Sequence, residues 1–308
     1  MIKTLTEDFD SFINTISLGK SQKKDIISKH TSLTDMIKSD CPDGYKIDRT
    51  RISGSYGKGT EIKEFDPSKN PDVDIVVILD TTINDVDQIN NTFYDYLVNK
   101  KANVVQEVTQ QSNSIGLKYR NIDVDIVLAK ENKDGSIRIT SDKFKSWVES
   151  NCLKQIDYMK EQSRKYTTFN YRELMQLFKY LNKEVLKNKI KSYTLEMLVH
   201  QCVPSCRVNL KLWNAFSETL GRISNINNIE DIKDCCDSSK KGYDEKDVNT
   251  FSSFREEIAT LYELSLDALN GNRKKWEEIF GDRFPKQSKQ KVENQNSCDE
   301  TQTPWCYE

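Results

Sequence analysis

The run DVDIVVILD at 72–80 constrains this chain more than any other stretch. Side chains alternate faces along a strand, so Asp72 and Asp74 share one face while Val73, Ile75 and Val77 occupy the other. Upstream, RISGSYGKGTEI at 51–62 is a strand-like run that reaches Gly54-Ser55 just before a turn. Such a turn presents backbone N–H groups, and the missing side chain at Gly54 lets an anion come close. Two carboxylates converging beside a nest of amides are the parts needed to hold divalent metal and a triphosphate.

The rest of the chain reads as a scaffold for that corner. Residues 1–40 carry apolar residues at helical spacing, Phe9, Phe12, Ile13 and Ile16 and then Ile26, Ile27, Leu33, Met36 and Ile37, with LGKSQ splitting the pair. Cys41-Pro42-Asp43-Gly44 is a turn signal before the strand YKIDRTRIS. The polar loop KEFDPSKNP precedes β-like DVDIVVILD, and residues 84–100 form an amphipathic helix through Val86, Ile89, Phe93 and Leu97. NVVQEVT, SIGLKYR and IDVDIVLA are strand candidates, the last two a hairpin. From 143 the pattern is helical, over 143–162, 169–188, 192–203, 207–221, 250–270 and 272–280, with 225–247 a polar loop or short helices. The expected fold class is α+β, a mixed-sheet lobe followed by a helical lobe with a cleft between. The expected domains are 1–142 (catalytic lobe with N-terminal helices), 143–285 (helical lobe) and 286–308 (flexible tail).

Composition limits the partners. The 46 Lys and Arg against 48 Asp and Glu give a net charge of −2, so the basic excess expected of a protein on long nucleic acid is missing. No apolar run is long enough to cross a bilayer, and the N-terminus has no signal-peptide core. The eight cysteines then read as reduced thiols, and the expectation is a soluble, cytoplasmic protein.

On IDVDIVLA, Asp123 and Asp125 also share a face. If that strand neighbours DVDIVV, one of them completes a triad with Asp72 and Asp74. Two metal ions held about 4 Å apart by three carboxylates activate a hydroxyl and stabilise a leaving pyrophosphate. Phosphoryl transfer is mostly positioning and charge neutralisation, so this constellation suffices for it.

GSYGKGT, DVDIVV and VDIVLA, in that order, resemble the nucleotidyltransferase superfamily related to polymerase beta. More narrowly they resemble the cGAS/DncV-like nucleotidyltransferases (CD-NTases) of bacterial anti-phage (CBASS) signalling. LMQLFKYLNKE at 174–184, KSYTLEMLV at 191–199 and WEEIFGDRFP at 276–285 carry the same resemblance, which spans residues 50–285. It implies a bilobed synthase that joins NTPs into a cyclic di- or trinucleotide second messenger, releases pyrophosphate and activates an effector. It further implies that Asp72, Asp74 and Asp125 ligate two Mg²⁺ ions (Mn²⁺ as a substitute), Asp125 being favoured over Asp123 because DIVLA matches the family strand better. Ser55 with Gly54 and Thr60 would hold phosphates, Lys179 would neutralise the triphosphate, Ser192 would bond a phosphate, and Tyr193 would stack on the donor base. The chain departs from the family in the sixteen residues from Ser55 to Asp72 and in Leu181, where Trp is common.

Alternative readings are a nucleotidyltransferase acting on RNA or protein and a catalytically inactive nucleotide-sensing scaffold; an intact acidic triad speaks against the second. His200, Cys202, Cys206 and Cys235-Cys236 offer N and S donors for zinc, but the first three fall on an apolar helix where buried thiols are common. Trp305, Cys306 and Tyr307 end a polar tail, a pattern suited to docking an accessory protein.

Overall fold

The computed structural model describes residues 4–101 and 104–286. β1 (Lys46–Ile52) pairs antiparallel with β2 (Asp72–Asp80), and β5 (Asp123–Glu131) pairs parallel with β2 on its other side. β4 (Ile115–Lys118) and β3 (Glu107–Gln110) extend the sheet antiparallel, in the order β1-β2-β5-β4-β3. The far end of β5 also pairs with β6 (Ile137–Ser141), and β6 with β7 (Ser146–Ser150). A parallel pair requires a crossover, made here by α4 (Val86–Lys101) and the β3–β4 hairpin.

Alternation divides the side chains of β2 between two cores. Val73, Ile75, Val77 and Leu79 pack with Val124, Ile126 and Leu128 of β5 against Ile89, Phe93 and Leu97 of α4 and against Ile26, Leu33 and Ile37 of α2 (Lys20–Ser39). The opposite face begins with Asp72 and Asp74 and continues with Val76 and Ile78. The start of α5 (Cys152–Lys165) covers Val76 and Ile78 with Cys152 and Leu153. The apolar end of that face is therefore roofed, while its acidic end stays at the sheet mouth.

The second core is helical. It is built from α6 (Tyr171–Tyr180), which runs into a π-type turn at Leu181–Val185, and from α7 (Ser192–Cys202), α8 (Leu212–Ser224), α9 (Phe251–Leu269) and α10 (Lys274–Phe280). α1 (Leu5–Ile16), opened by a capping box between Thr4 and Glu7, docks here and not on the sheet. Phe9 meets Trp276 edge-on at 5.1 Å between centroids, and Phe12 meets Phe280 at 4.7 Å. Each fully buried Phe stabilises the docking by about 1.5–3 kcal/mol. The N-terminal helix grouped by sequence with the catalytic lobe thus belongs by packing to the helical one.

Other expectations are corrected. The helix expected over 143–162 begins only at Cys152. Ser146–Ser150 is strand β7, because Trp147, Val148 and their neighbours pair with β6. The helix expected over 207–221 starts at Leu212, because Asn209 adopts φ +66°, which no right-handed helix accommodates. The stretch 225–247 holds a small hairpin, β8 (Lys233–Asp234) and β9 (Asp237–Lys241), with Cys235 and Cys236 at its tip. The tail with Trp305, Cys306 and Tyr307 lies outside the described residues. Among those described, no helix is long and apolar enough to cross a membrane.

Candidate active site

Strand register brings the carboxylates together. In the parallel β2–β5 pair, Asp72 lies opposite Asp123 and Asp74 opposite Asp125. Asp123 is taken up at its strand entrance by Asn70, whose Nδ2 donates to Oδ1 at 3.0 Å. Asp125 instead turns to the cleft, where one oxygen each of Asp72, Asp74 and Asp125 lie within 4.8 Å of one another. Gln111 Nε2 donates to Asp125 Oδ1 at 3.0 Å and orients it.

The Gly54-Ser55 turn is anchored to the same strand. Ser53 N–H donates to the Asp74 carbonyl at 2.8 Å, after which the chain coils into the short helix α3 (Gly54–Lys58). Gly54 has φ +60°, and a Cβ built on it would sit 1.8 Å from Asp74 Oδ2. Only glycine lets this backbone lie against the Asp74 carboxylate.

The electrostatics of the triad fit a cation. Burial first, then the charges of Asp125 and Asp74, push the Asp72 carboxyl up to about 8, although its side chain opens to the cleft. Burial and Asp74 push Asp125 to about 6 against the pull of Ser114 and Gln111. Burial also raises Asp74, with Lys58 and Lys179 opposing. Three hard oxygen ligands that repel one another are the donor set that Mg²⁺-class ions prefer, and a bound cation reverses the repulsion.

Across the cleft, Lys179 of α6 is buried and points its ammonium at the turn. It donates to Ser55 Oγ at 2.6 Å and to Thr60 Oγ1 at 3.0 Å. Ser55, Lys179 and Ser192, the first residue of α7, line one pocket of about 290 Å³ together with Glu61, Lys69 and Lys183. The long segment between Ser55 and Asp72 therefore folds into this pocket's wall, with Glu64 pairing Lys183. Burial, opposed by Lys179 and Lys183, lifts Glu61 to about 7.

Tyr193 is placed differently from its neighbour. Its hydroxyl donates to Asp234 Oδ2 and to the Lys241 carbonyl, both at 2.9 Å. It lines a second hollow of about 350 Å³ with Asn151, Gln155 and Lys240, where Lys240 also meets Glu149 of β7 at 2.5 Å across the cleft. The turn and Lys179 are thus gathered at one pocket and the tyrosine at another, with the triad beside Gly54.

One residue escaped the sequence reading. Glu196 of α7 is fully enclosed and pairs with both Lys58 and Lys179. Burial pushes its carboxyl up, but the two lysines more than offset that and hold it down near about 2. A lone glutamate within the apolar run TLEMLV was the available signal, since a buried charge demands partners.

The zinc donors do not assemble as a set. His200 Nδ1 is engaged by Tyr171 OH at 2.8 Å, and burial holds its imidazole down near about 4. Burial pushes the Cys202 thiol up to about 12. Among the described residues, the sulfur-bearing group with ligand-like spacing is Asp234, Cys235 and Cys236, without His200, Cys202 or Cys206.

Comparison with known proteins places the chain in a family. A curated relative, the cyclic AMP-AMP-AMP synthase of an Acinetobacter strain, is 23% identical over 309 aligned residues, covering 95% of this chain and 89% of the relative. The structure of E. coli MS115-1 CdnC with ATP superposes with a TM-score of 0.66 at 19% identity, covering 91% of this chain and 98% of that one. The same protein also matches in its complex with HORMA-deltaN, at a TM-score of 0.65. Bradyrhizobium diazoefficiens CdnG with GTP gives 0.68 at 13% identity, covering 90% and 96% of the two chains. The model of the Second Messenger Oligonucleotide or Dinucleotide Synthetase domain matches residues 3–163, just over half of the chain. This chain therefore belongs to the second messenger oligonucleotide or dinucleotide synthetase family, the cGAS/DncV-like nucleotidyltransferases.

Proposed function

We propose that the chain joins nucleoside triphosphates into a cyclic di- or trinucleotide with release of pyrophosphate. The observation that carries this reading is the register of β2 with β5, which sets Asp74 opposite Asp125 directly beside the Gly54-Ser55 turn. Asp72, Asp74 and Asp125 are the residues that would hold divalent cations, Mg²⁺ first and Mn²⁺ as a substitute. Bound there, the cations supply charge neutralisation at the reacting phosphate and lower the pKa of the attacking hydroxyl.

The chain's own groups do the positioning. Ser55 and the amides of its turn cradle the donor phosphates, Thr60 is buried behind them where it holds Lys179, and Ser192 at the start of α7 bonds them from the other wall. Lys179, already aimed at Ser55, neutralises their charge. Tyr193 flanks the second hollow and offers its ring to a base there, with its hydroxyl pinned by Asp234. Adenine is the first base to test, because the Acinetobacter relative is a cyclic AMP-AMP-AMP synthase. E. coli MS115-1 CdnC is solved in complex with HORMA-deltaN; in this chain an accessory protein would dock on the tail at 286–308, and the product would act on a separate anti-phage effector.

The test is acceptor dependence. NTPs and Mg²⁺ alone are expected to release pyrophosphate, and EDTA is expected to stop it. Release that appears only after RNA or protein is added would instead favour transfer onto a macromolecule. Lys179→Met is expected to raise the KM for the donor NTP about 10–100-fold, the equivalent of a charge-assisted hydrogen bond of about 1.5–3 kcal/mol. An unchanged KM would take Lys179 out of the triphosphate site.

A further inference from the structure

The carboxylate of Glu196 is shared between two lysines from different elements. Its Oε1 lies 2.7 Å from Lys179 Nζ, and its Oε2 pairs with Lys58 Nζ. Lys58 closes α3, three residues after Ser55, whereas Lys179 belongs to α6 and reaches Ser55 and Thr60 itself. Glu196 stands one turn after Ser192 on α7. One side chain therefore touches the three elements that carry the proposed phosphate contacts: α3 with Ser55, α6 with Lys179 and α7 with Ser192. All three charged groups are buried, Lys58 and Lys179 to 7% exposure and Glu196 to 2%.

Stability alone is a poor account of this arrangement. Buried ion pairs recover their desolvation only with good geometry, and packed apolar residues often serve as well. Geometry is what the trio supplies. A lysine ammonium on a four-carbon stem has many rotamers, and Glu196 fixes Lys179 from behind while Ser55 and Thr60 hold it in front. Two lysines against one carboxylate also leave the trio itself with a surplus positive charge beside Ser55.

We propose that Glu196 is a positioning residue for synthesis: it registers α3, α6 and α7 and aims Lys179 at the donor's phosphates. The inference rests on the function proposed above. It separates from a merely structural role because only the phosphate grip is at stake, so a nucleotide's affinity should respond according to how many phosphates it carries. A purely electrostatic role carries the opposite sign, since removing the carboxylate leaves the pocket more positive and would tighten ATP.

The experiment compares the binding of ATP and of AMP by calorimetry in Ca²⁺, with thermal unfolding followed in parallel. Glu196→Gln is expected to weaken ATP at least about tenfold and to leave AMP within about twofold, and Glu196→Asp is expected to recover part of the loss. Should E196Q not fold, Lys58→Met carries the same comparison, since it cuts only the α3 arm; a selective weakening of ATP of about threefold or more is expected. Equal losses for both nucleotides, no loss, or tighter ATP would overturn the inference while leaving the synthesis reading standing. A wild-type protein that binds neither nucleotide would remove the synthesis reading and this inference with it.

Discussion

Replacing Asp72 and Asp74 together by asparagine is expected to lower nucleotide product at least about 10³-fold while making the metal-free protein more resistant to heat. The two effects have one origin. Asp72, Asp74 and Asp125 converge within 4.8 Å, and burial raises all three carboxyls above their ordinary value, with neighbouring carboxylates adding to the rise at Asp72 and Asp125. A carboxyl whose folded-state pKa is raised favours the fold while protonated and opposes it once ionised. The wild-type protein in EDTA should therefore lose stability as pH rises from about 4 toward 8, the value to which Asp72 is pushed. The double asparagine variant should show a flatter profile over that window and unfold at the higher temperature near pH 8. Adding Mg²⁺ should raise the wild-type midpoint and leave the variant's in place. Thermal melts against pH, with and without EDTA, check all of this; a variant that melts below wild type throughout would contradict the electrostatic account of the triad.

Gly54→Ala is the second substitution with a large expected effect. The new Cβ would lie 1.8 Å from Asp74 Oδ2 and 2.8 Å from its Cγ, far inside any real contact, so the carboxylate must move. At φ +60° an alanine also costs about 1–2 kcal/mol of backbone strain. Displacing a group of the proposed metal site by about 1 Å is worth about 100-fold in rate, so kcat/KM should fall at least that far. Gly135→Ala separates the two contributions. Gly135 has φ +77°, but its added Cβ would meet nothing within 4 Å. It should lose a comparable amount of stability and keep its activity. If the two variants lose activity equally, the close approach of Gly54 to Asp74 has no role.

The parts of the site that lie along single strands were legible in the sequence. Alternation in DVDIVVILD placed Asp72 and Asp74 on one face, and the same pattern in IDVDIVLA offered Asp123 and Asp125. Choosing Asp125 rested on the family strand; in the structure Asp123 is taken up by Asn70, whereas Asp125 lies within 4.8 Å of Asp72 and Asp74. The parts that depend on long-range pairing were not legible. Lys58 and Glu196 are 138 residues apart, and no local pattern announces such a pair. β7 was read as helix because Ser146–Ser150 is short and acquires its strand character from β6 alone. The β8–β9 hairpin was hidden by the polar sequence Asp237–Lys241, whose mostly exposed residues show no alternation. α1 shows an apolar stripe in sequence, but a stripe does not say which core it will join, and Phe9 and Phe12 chose the aromatic cluster around Phe280.

Mass spectrometry of the phosphatase-treated products from mixed NTPs and Mg²⁺ tests the central claim most directly. Phosphatase removes terminal phosphates, so a closed ring survives it while a linear chain is trimmed. Wild-type protein is expected to yield a surviving species with the mass of a cyclic di- or trinucleotide, and the Asp72→Asn, Asp74→Asn protein none. Only linear products from wild type, or the same ring from the double variant, would contradict the account.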